Sequence, residues 1–212
     1  MTMFNEKVLR ETKEVLKEMK DPVTLTFFSR ETDCGHCSQV DAFAEELVSI
    51  DDRLKLEKKI LGKDGEFAAK LGIHDAPALV LAHPHDDRAP VRYYGLPGGY
   101  EFGALLRVLV LFSAGTPDER IEVSSLDALK KDVNIKTFVL TTCPSCPVMA
   151  YLTAALAYVS PRVTTEIVEA NTFTDLAARF SVSTVPKIVI NDSVEVPGVL
   201  SPVELITKIL EA

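Results

Sequence analysis

Amide side chains are scarce in this 212-residue chain: Asn5, Asn134, Asn171, Asn191 and Gln39 are the only five, against twelve prolines. That balance is a habit of thermophile proteins. No apolar run is long enough for a bilayer; Val148 to Val159 (VMAYLTAALAYV) falls short of the ~20 residues a spanning helix needs. The opening segment, MTMFNEKVLRETKEVLKEMK, lacks the apolar stretch of a secretory signal, so a cytoplasmic protein with no membrane partner is expected. Basic residues are in the minority, 23 Lys and Arg against 31 Asp and Glu, so no chain-wide positive field attracts nucleic acid or anionic lipid. No GxGxxG follows a strand pattern, so no bound flavin or nicotinamide, and no other cofactor, is expected. What remains, 47% hydrophobic and 25% charged residues, is an ordinary globular composition able to bury one large core or two small ones.

Cysteine is also sparse, and all four fall in two CxxC units, Cys34-Gly-His-Cys37 and Cys143-Pro-Ser-Cys146. A structural staple is a poor explanation, because a bond closing so small a ring stabilises by only about 2 kcal/mol, against about 4.7 for a hundred-residue loop. Inert core cysteines have no reason to recur twice at this spacing. Two readings stay in contention: a four-thiolate zinc site and reversible redox chemistry. Each pair follows a β-type run (VTLTFF from Val23, IKTFVL from Ile135) and precedes a helical pattern. Pro144 and Pro147 suit a helix start but would remove N–H groups that support a zinc knuckle. At a helix start, residues i and i+3 are close enough to bond and to part, and the positive end of the helix dipole lowers the first thiol's pKa. Cys34 and Cys143 are therefore the expected nucleophiles, and Cys37 and Cys146 the resolving thiols. Redox chemistry leads, with no metal expected; the zinc protein is the non-enzymatic rival.

The chain also repeats itself. An offset of 109 places Cys34 on Cys143, Cys37 on Cys146, and Ala76-Pro77 on Val185-Pro186; beyond the prolines the offset is 100, matching Leu96-Pro97-Gly98 with Val196-Pro197-Gly198. The difference lies around His83 to Pro90. Each unit reads as strand, CxxC helix, strand, short helix, proline-led strand, hairpin strand and closing helix. In the second unit these are 135–140, 144–158, 163–168, 174–180, 187–190, 194–196 and 202–210. A helix over 5–18 precedes the first unit, and another over 124–130 leads into the second. The boundary falls near Gly115, dividing the chain into domains 1–115 and 116–212. The fold class is α/β, two tandem domains each with a central mixed sheet flanked by helices.

With both CxxC units, VRYYGLPGGYEF (Val91 to Phe102) and VPKIVI (Val185 to Ile190), this pattern resembles the thioredoxin fold. The duplication is similar to the protein disulfide oxidoreductase family of thermophiles, a glutaredoxin-like group with two thioredoxin folds in one chain. The resemblance implies protein dithiol–disulfide exchange, client proteins with thiols or disulfides as partners, and a thioredoxin-reductase-like flavoenzyme as electron source. It also implies cis peptide bonds before Pro77 and Pro186. These would leave the backbone of Ala76 and Val185 to pair with an extended client as an added strand. The enzymatic rival is a dedicated relay passing electrons from one CxxC to the other for a peroxiredoxin.

Some residues invite a role but admit a plainer one. His36, beside Cys37, could hold positive charge near the Cys34 thiolate and make the first site more oxidising, or simply be solvated. Thioredoxin relatives often keep a buried carboxylate on the strand under the CxxC helix. Neither strand here has one, leaving Asp33, Glu31, His74 or water as proton acceptor. Ser145 stands where the glutaredoxin pattern carries Tyr. Lys187 reads as an outward strand residue. His83, His85, Asp86 and Asp87 read as an exposed hairpin tip rather than a metal loop.

Overall fold

The computed structural model describes residues 3–84, 88–117 and 123–212. The first half runs α1 (Glu6–Leu16), β1 (Val23–Ser29), α2 (Cys37–Val48), β2 (Leu54–Ile60), α3 (Gly65–Lys70), β3 (Ala78–Leu81), β4 (Val91–Tyr94) and α4 (Tyr100–Ala114). A 3₁₀ turn, Val123–Ala128, leads to β5 (Val133–Val139), α5 (Cys146–Val159), β6 (Val163–Glu169), α6 (Thr174–Arg179), β7 (Lys187–Ile190), β8 (Val194–Pro197) and α7 (Pro202–Glu211). The two halves are copies of one unit. The helix expected over 124–130 is this tighter turn instead, a 3₁₀ piece serving as a connector.

Local signals set the element ends. The Asn5 side chain caps α1 by accepting from the Val8 N–H at 3.0 Å. Ser201 and Glu204 form the capping box that opens α7 behind Pro202. Helix α4 stops at Gly115, whose φ of +71° is the left-handed conformation that glycine adopts without strain.

Among the described residues eight strands form one sheet in the order β2-β1-β3-β4-β6-β5-β7-β8. Within each half a parallel pair (β1/β2, β5/β6) meets an antiparallel hairpin (β3/β4, β7/β8). The halves join where β4 runs parallel to β6, with Tyr93 opposite Ile167. Seven-residue β1 and β5 are almost wholly buried because helices cover both faces, which is why they read as apolar runs rather than alternations. One face carries the large core that includes α2, α4, α5 and α7. The other carries a smaller core around Phe28, Tyr94, Phe138 and Phe180, with residues of α3 and α6. Helix α4 packs against α5, so Val108 to Phe112 and the α5 face seal the join between halves.

The strand register exposes a difference between the copies. Leu25 pairs with Leu81 and Ile135 with Ile190, so β1 and β5 correspond at an offset of 110, whereas the cysteines correspond at 109. The loop before Cys34 (Arg30 to Asp33) is thus one residue longer than that before Cys143 (Leu140 to Thr142). The extra length is accommodated with Asp33 at φ +56°.

Candidate active site

Because β1 and β5 are parallel to each other through the intervening ladders, both CxxC loops leave the same edge of the sheet. Each pair is joined as a disulfide, with Cα–Cα distances of 5.4 Å (Cys34–Cys37) and 5.5 Å (Cys143–Cys146). Four strand spacings separate β1 from β5, roughly 19 Å at ~4.8 Å each. Four thiolates so placed cannot close on one ion.

The helices open on the second cysteine of each pair, not on the first; α5 starts at Cys146 rather than at Pro144. Neither His36 nor Ser145, the residues at the cap positions, makes a side-chain capping bond. The Cys143 sulfur takes that place, accepting the Cys146 N–H at 3.1 Å, with the Ser145 hydroxyl 3.5 Å away. A sulfur so held is positioned at the orphan amides of the helix start, where negative charge is favoured. In the first site the Cys37 N–H bonds to the Cys34 carbonyl at 3.3 Å. The first cysteine of each pair is the more exposed: Cys34 is half-buried over a buried Cys37, and Cys143 is 8% exposed over a fully buried Cys146.

The peptide bonds Ala76-Pro77 and Val185-Pro186 are cis. The Val185 carbonyl lies 3.9 Å from the Cys143 sulfur. In the first site the Ala76 N–H is held by the Asp75 carboxylate at 2.7 Å, and Asp75 in turn pairs with Arg30 at 2.9 Å.

The three side chains considered as proton acceptors are all exposed. Glu31 is an exposed partner of Lys63. His74 bonds the Tyr94 hydroxyl at 3.1 Å on the α3/α6 side of the sheet, away from the CxxC helices. Asp33 is exposed in its turn. Glu101, in the first turn of α4, is the most deeply buried carboxylate among the described residues, 1% exposed. With Tyr93, Val139 and Ile167 it lines a void of about 10 Å³, room for about one water. Neither Glu101 oxygen has a hydrogen-bond partner among the described residues, and burial pushes its pKa up to about 8. Val139 ends β5, and Tyr100 donates its N–H to the Thr141 carbonyl at 2.9 Å, so α4 is anchored to the loop that carries Cys143. Glycine is required at the helix's entrance: Gly99 has φ +58°, and a Cβ there would collide with the Thr141 carbonyl oxygen. A signal for Glu101 exists in the sequence, since it shares the spacing of Leu105, Val108 and Phe112 on α4, a carboxylate on an apolar stripe.

Lys187 is not the outward residue expected. It is buried, with Nζ donating to the Phe180 and Ser181 carbonyls and paired with Glu195 at 2.7 Å, because the neighbouring chain ends at α6 need a donor. His83 packs against the Tyr158 ring at 4.8 Å between centroids, while His85, Asp86 and Asp87 lie outside the described residues.

A thioredoxin-domain family profile matches residues 133–211. The protein disulfide oxidoreductase of Aeropyrum pernix superposes with a TM-score of 0.88 at 25% identity, covering 99% of this chain and 94% of that one. The alkylhydroperoxide reductase protein AhpF of Enterococcus faecalis superposes with a TM-score of 0.90 at 23% identity, covering 98% of this chain and 100% of that one. Among curated proteins, AhpF of Staphylococcus epidermidis, likewise from an alkyl hydroperoxide reductase, is 21% identical over 165 residues, 75% of this chain and 32% of the relative. Its Staphylococcus aureus counterpart is 21% identical over 147 residues, 66% of this chain and 28% of the relative. The chain thus spans under a third of the curated relatives it matches. Two thioredoxin-like domains in one sheet, each with a CxxC disulfide, define a dithiol–disulfide oxidoreductase. Within that class the chain is a close structural match to the Aeropyrum pernix protein disulfide oxidoreductase, the family its motifs resemble.

Proposed function

We propose that both pairs exchange electrons with client proteins, with Cys34 and Cys143 as nucleophiles and Cys37 and Cys146 as resolving thiols. The observation that carries this reading is the exposure order within each pair, Cys34 half-buried over a buried Cys37 and Cys143 at 8% over a Cys146 with no exposure. In the reducing direction, the Cys143 thiolate attacks a client sulfur and forms a mixed disulfide while the client's other sulfur leaves as thiolate. Cys146 then gives up its proton and attacks Cys143, so the client leaves reduced and the pair is oxidised. The Cys146 proton goes to Glu101, the one partnerless buried carboxylate on the α5 side of the sheet among the described residues. Pro77 and Pro186 shape the loops facing the sulfurs, Ala76 and Val185 offer backbone to an extended client, and His36 tunes the first site. The domains divide at Gly115.

The reductant in this reading is a separate thioredoxin-reductase-like flavoenzyme. A second reading, delivery of electrons to a peroxiredoxin, is favoured by the likeness to AhpF. No helix among the described residues is long and apolar enough to cross a membrane, and our reading is a cytoplasmic protein. Insulin reduction by Cys34→Ser and Cys143→Ser variants tests the assignment. Independent sites leave partial activity in each variant, whereas an obligate relay loses everything with either. Stoichiometric zinc in the reduced protein, removable only by unfolding, would overturn the redox reading.

A further inference from the structure

The duplication provides an internal comparison, equivalent surfaces beside the two CxxC loops lined by different chemistry. Beside Cys143 a cleft of about 330 Å³ runs between the active-site loop, α6 and the loop before Pro186; its walls include Leu140, Ala170, Ala177, Val182 and Val185, and none of its lining residues is charged. Val185 belongs both to this wall and to the sulfur's immediate surroundings, since its carbonyl is 3.9 Å from Cys143. A polypeptide that presents its sulfur to Cys143 therefore lies across the cleft mouth.

At the first site a cleft of about 360 Å³ is lined by Arg30, Glu31, Thr32, Leu61 and Gly62, of which Arg30, Leu61 and Gly62 hold the positions of Leu140, Ala170 and Asn171. By strand register Arg30 occupies the position of Leu140, and by the cysteine offset Asp75 occupies that of Thr184. Arg30 of this cleft pairs at 2.9 Å with Asp75 in the loop before Pro77, and Asp75 also holds the Ala76 N–H. The Val185 N–H makes no such bond among the described residues. An exposed ion pair of this kind contributes little stability, yet an apolar side chain entering beside it must strip water from both charges without replacing it.

Resting on the oxidoreductase reading above, we propose that the two sites divide clients by the residue flanking the reactive cysteine. The second site takes extended clients that place an apolar side chain in the Leu140–Val182 cleft. The Arg30–Asp75 pair removes that preference from the first site.

The test uses the reduced full chain with one pair inactivated, either Cys34→Ser/Cys37→Ser or Cys143→Ser/Cys146→Ser. The probes are two short peptides whose single cysteine is flanked by Leu or by Ser and is bonded to thionitrobenzoate. Thiolate attack on the peptide sulfur expels the coloured thionitrobenzoate. The second cysteine then releases the peptide thiol, both electrons coming from the protein pair. The second site should react about tenfold faster with the Leu peptide than with the Ser peptide, and the first site equally with both. Leu140→Arg/Thr184→Asp should abolish the second site's ratio, and Arg30→Leu/Asp75→Thr should create one at the first. Because each result is a ratio within one preparation, partial misfolding of a variant cancels. Equal ratios at two active sites, or a ratio unmoved by both exchanges, overturn this proposal alone. If neither pair releases colour from any probe, the oxidoreductase reading falls with it.

Discussion

Glu101→Gln is the most informative single change, because it separates a buried proton carrier from a merely buried side chain. The carboxyl ionises near 4.5 in an unfolded chain but near 8 in the fold, where burial penalises the charged form and neither oxygen has a hydrogen-bond partner among the described residues. Between those values the unfolded chain has released a proton that the fold retains. Stability therefore falls as pH rises, by up to about 1.4 kcal/mol per pH unit. Gln removes the titration and leaves a pH-independent cost for burying an amide among the same apolar walls. In denaturant unfolding of the oxidised protein at pH 5, 6, 7 and 8, the variant's stability relative to the parent should rise by about 3 kcal/mol across the series, whatever its starting offset. On the Cys34→Ser/Cys37→Ser background, release of client from the Cys143 mixed disulfide should slow about 100-fold and lose its pH dependence near 8. Parallel stability curves for parent and variant would refute the desolvated carboxyl. A normal release rate with an altered stability slope would leave Glu101 buried but idle in catalysis.

His36→Ala should lower the first site's reduction potential by tens of millivolts, about 1.4 kcal/mol per 30 mV, and leave the second unchanged; separate redox titrations of the two one-pair variants decide it, and an unmoved first site ends the electrostatic role. Gly99→Ala should destabilise the chain by about 1–3 kcal/mol in thermal or denaturant unfolding and slow the second site, since the added methyl meets the Thr141 carbonyl and φ +58° disfavours any side chain. An unchanged second site would show that α4 does not hold the Cys143 loop.

The chemistry of this protein is written locally. Two sulfurs three residues apart before a helical pattern, a proline before each β-hairpin, and a repeat offset are all properties of short stretches. Chain stiffness, helix periodicity and thiol reactivity determine them without reference to distant residues. The order of elements along each unit and the capping box at Ser201 belong to the same class, whereas the cis prolines are implied by the family resemblance. What the tertiary structure alone decided is everything that depends on which segments meet. The β4–β6 pairing that fuses two domains into one sheet leaves no local trace, because backbone ladders are indifferent to side-chain identity. Lys187 turns inward because α6 happens to end beneath it. Glu101 packs against the end of β5, 38 residues further along the chain, and Arg30 meets Asp75 only once β1 and the cis-proline loop face each other. Burial and electrostatics act through space, and a linear chain does not reveal its distances until it has folded.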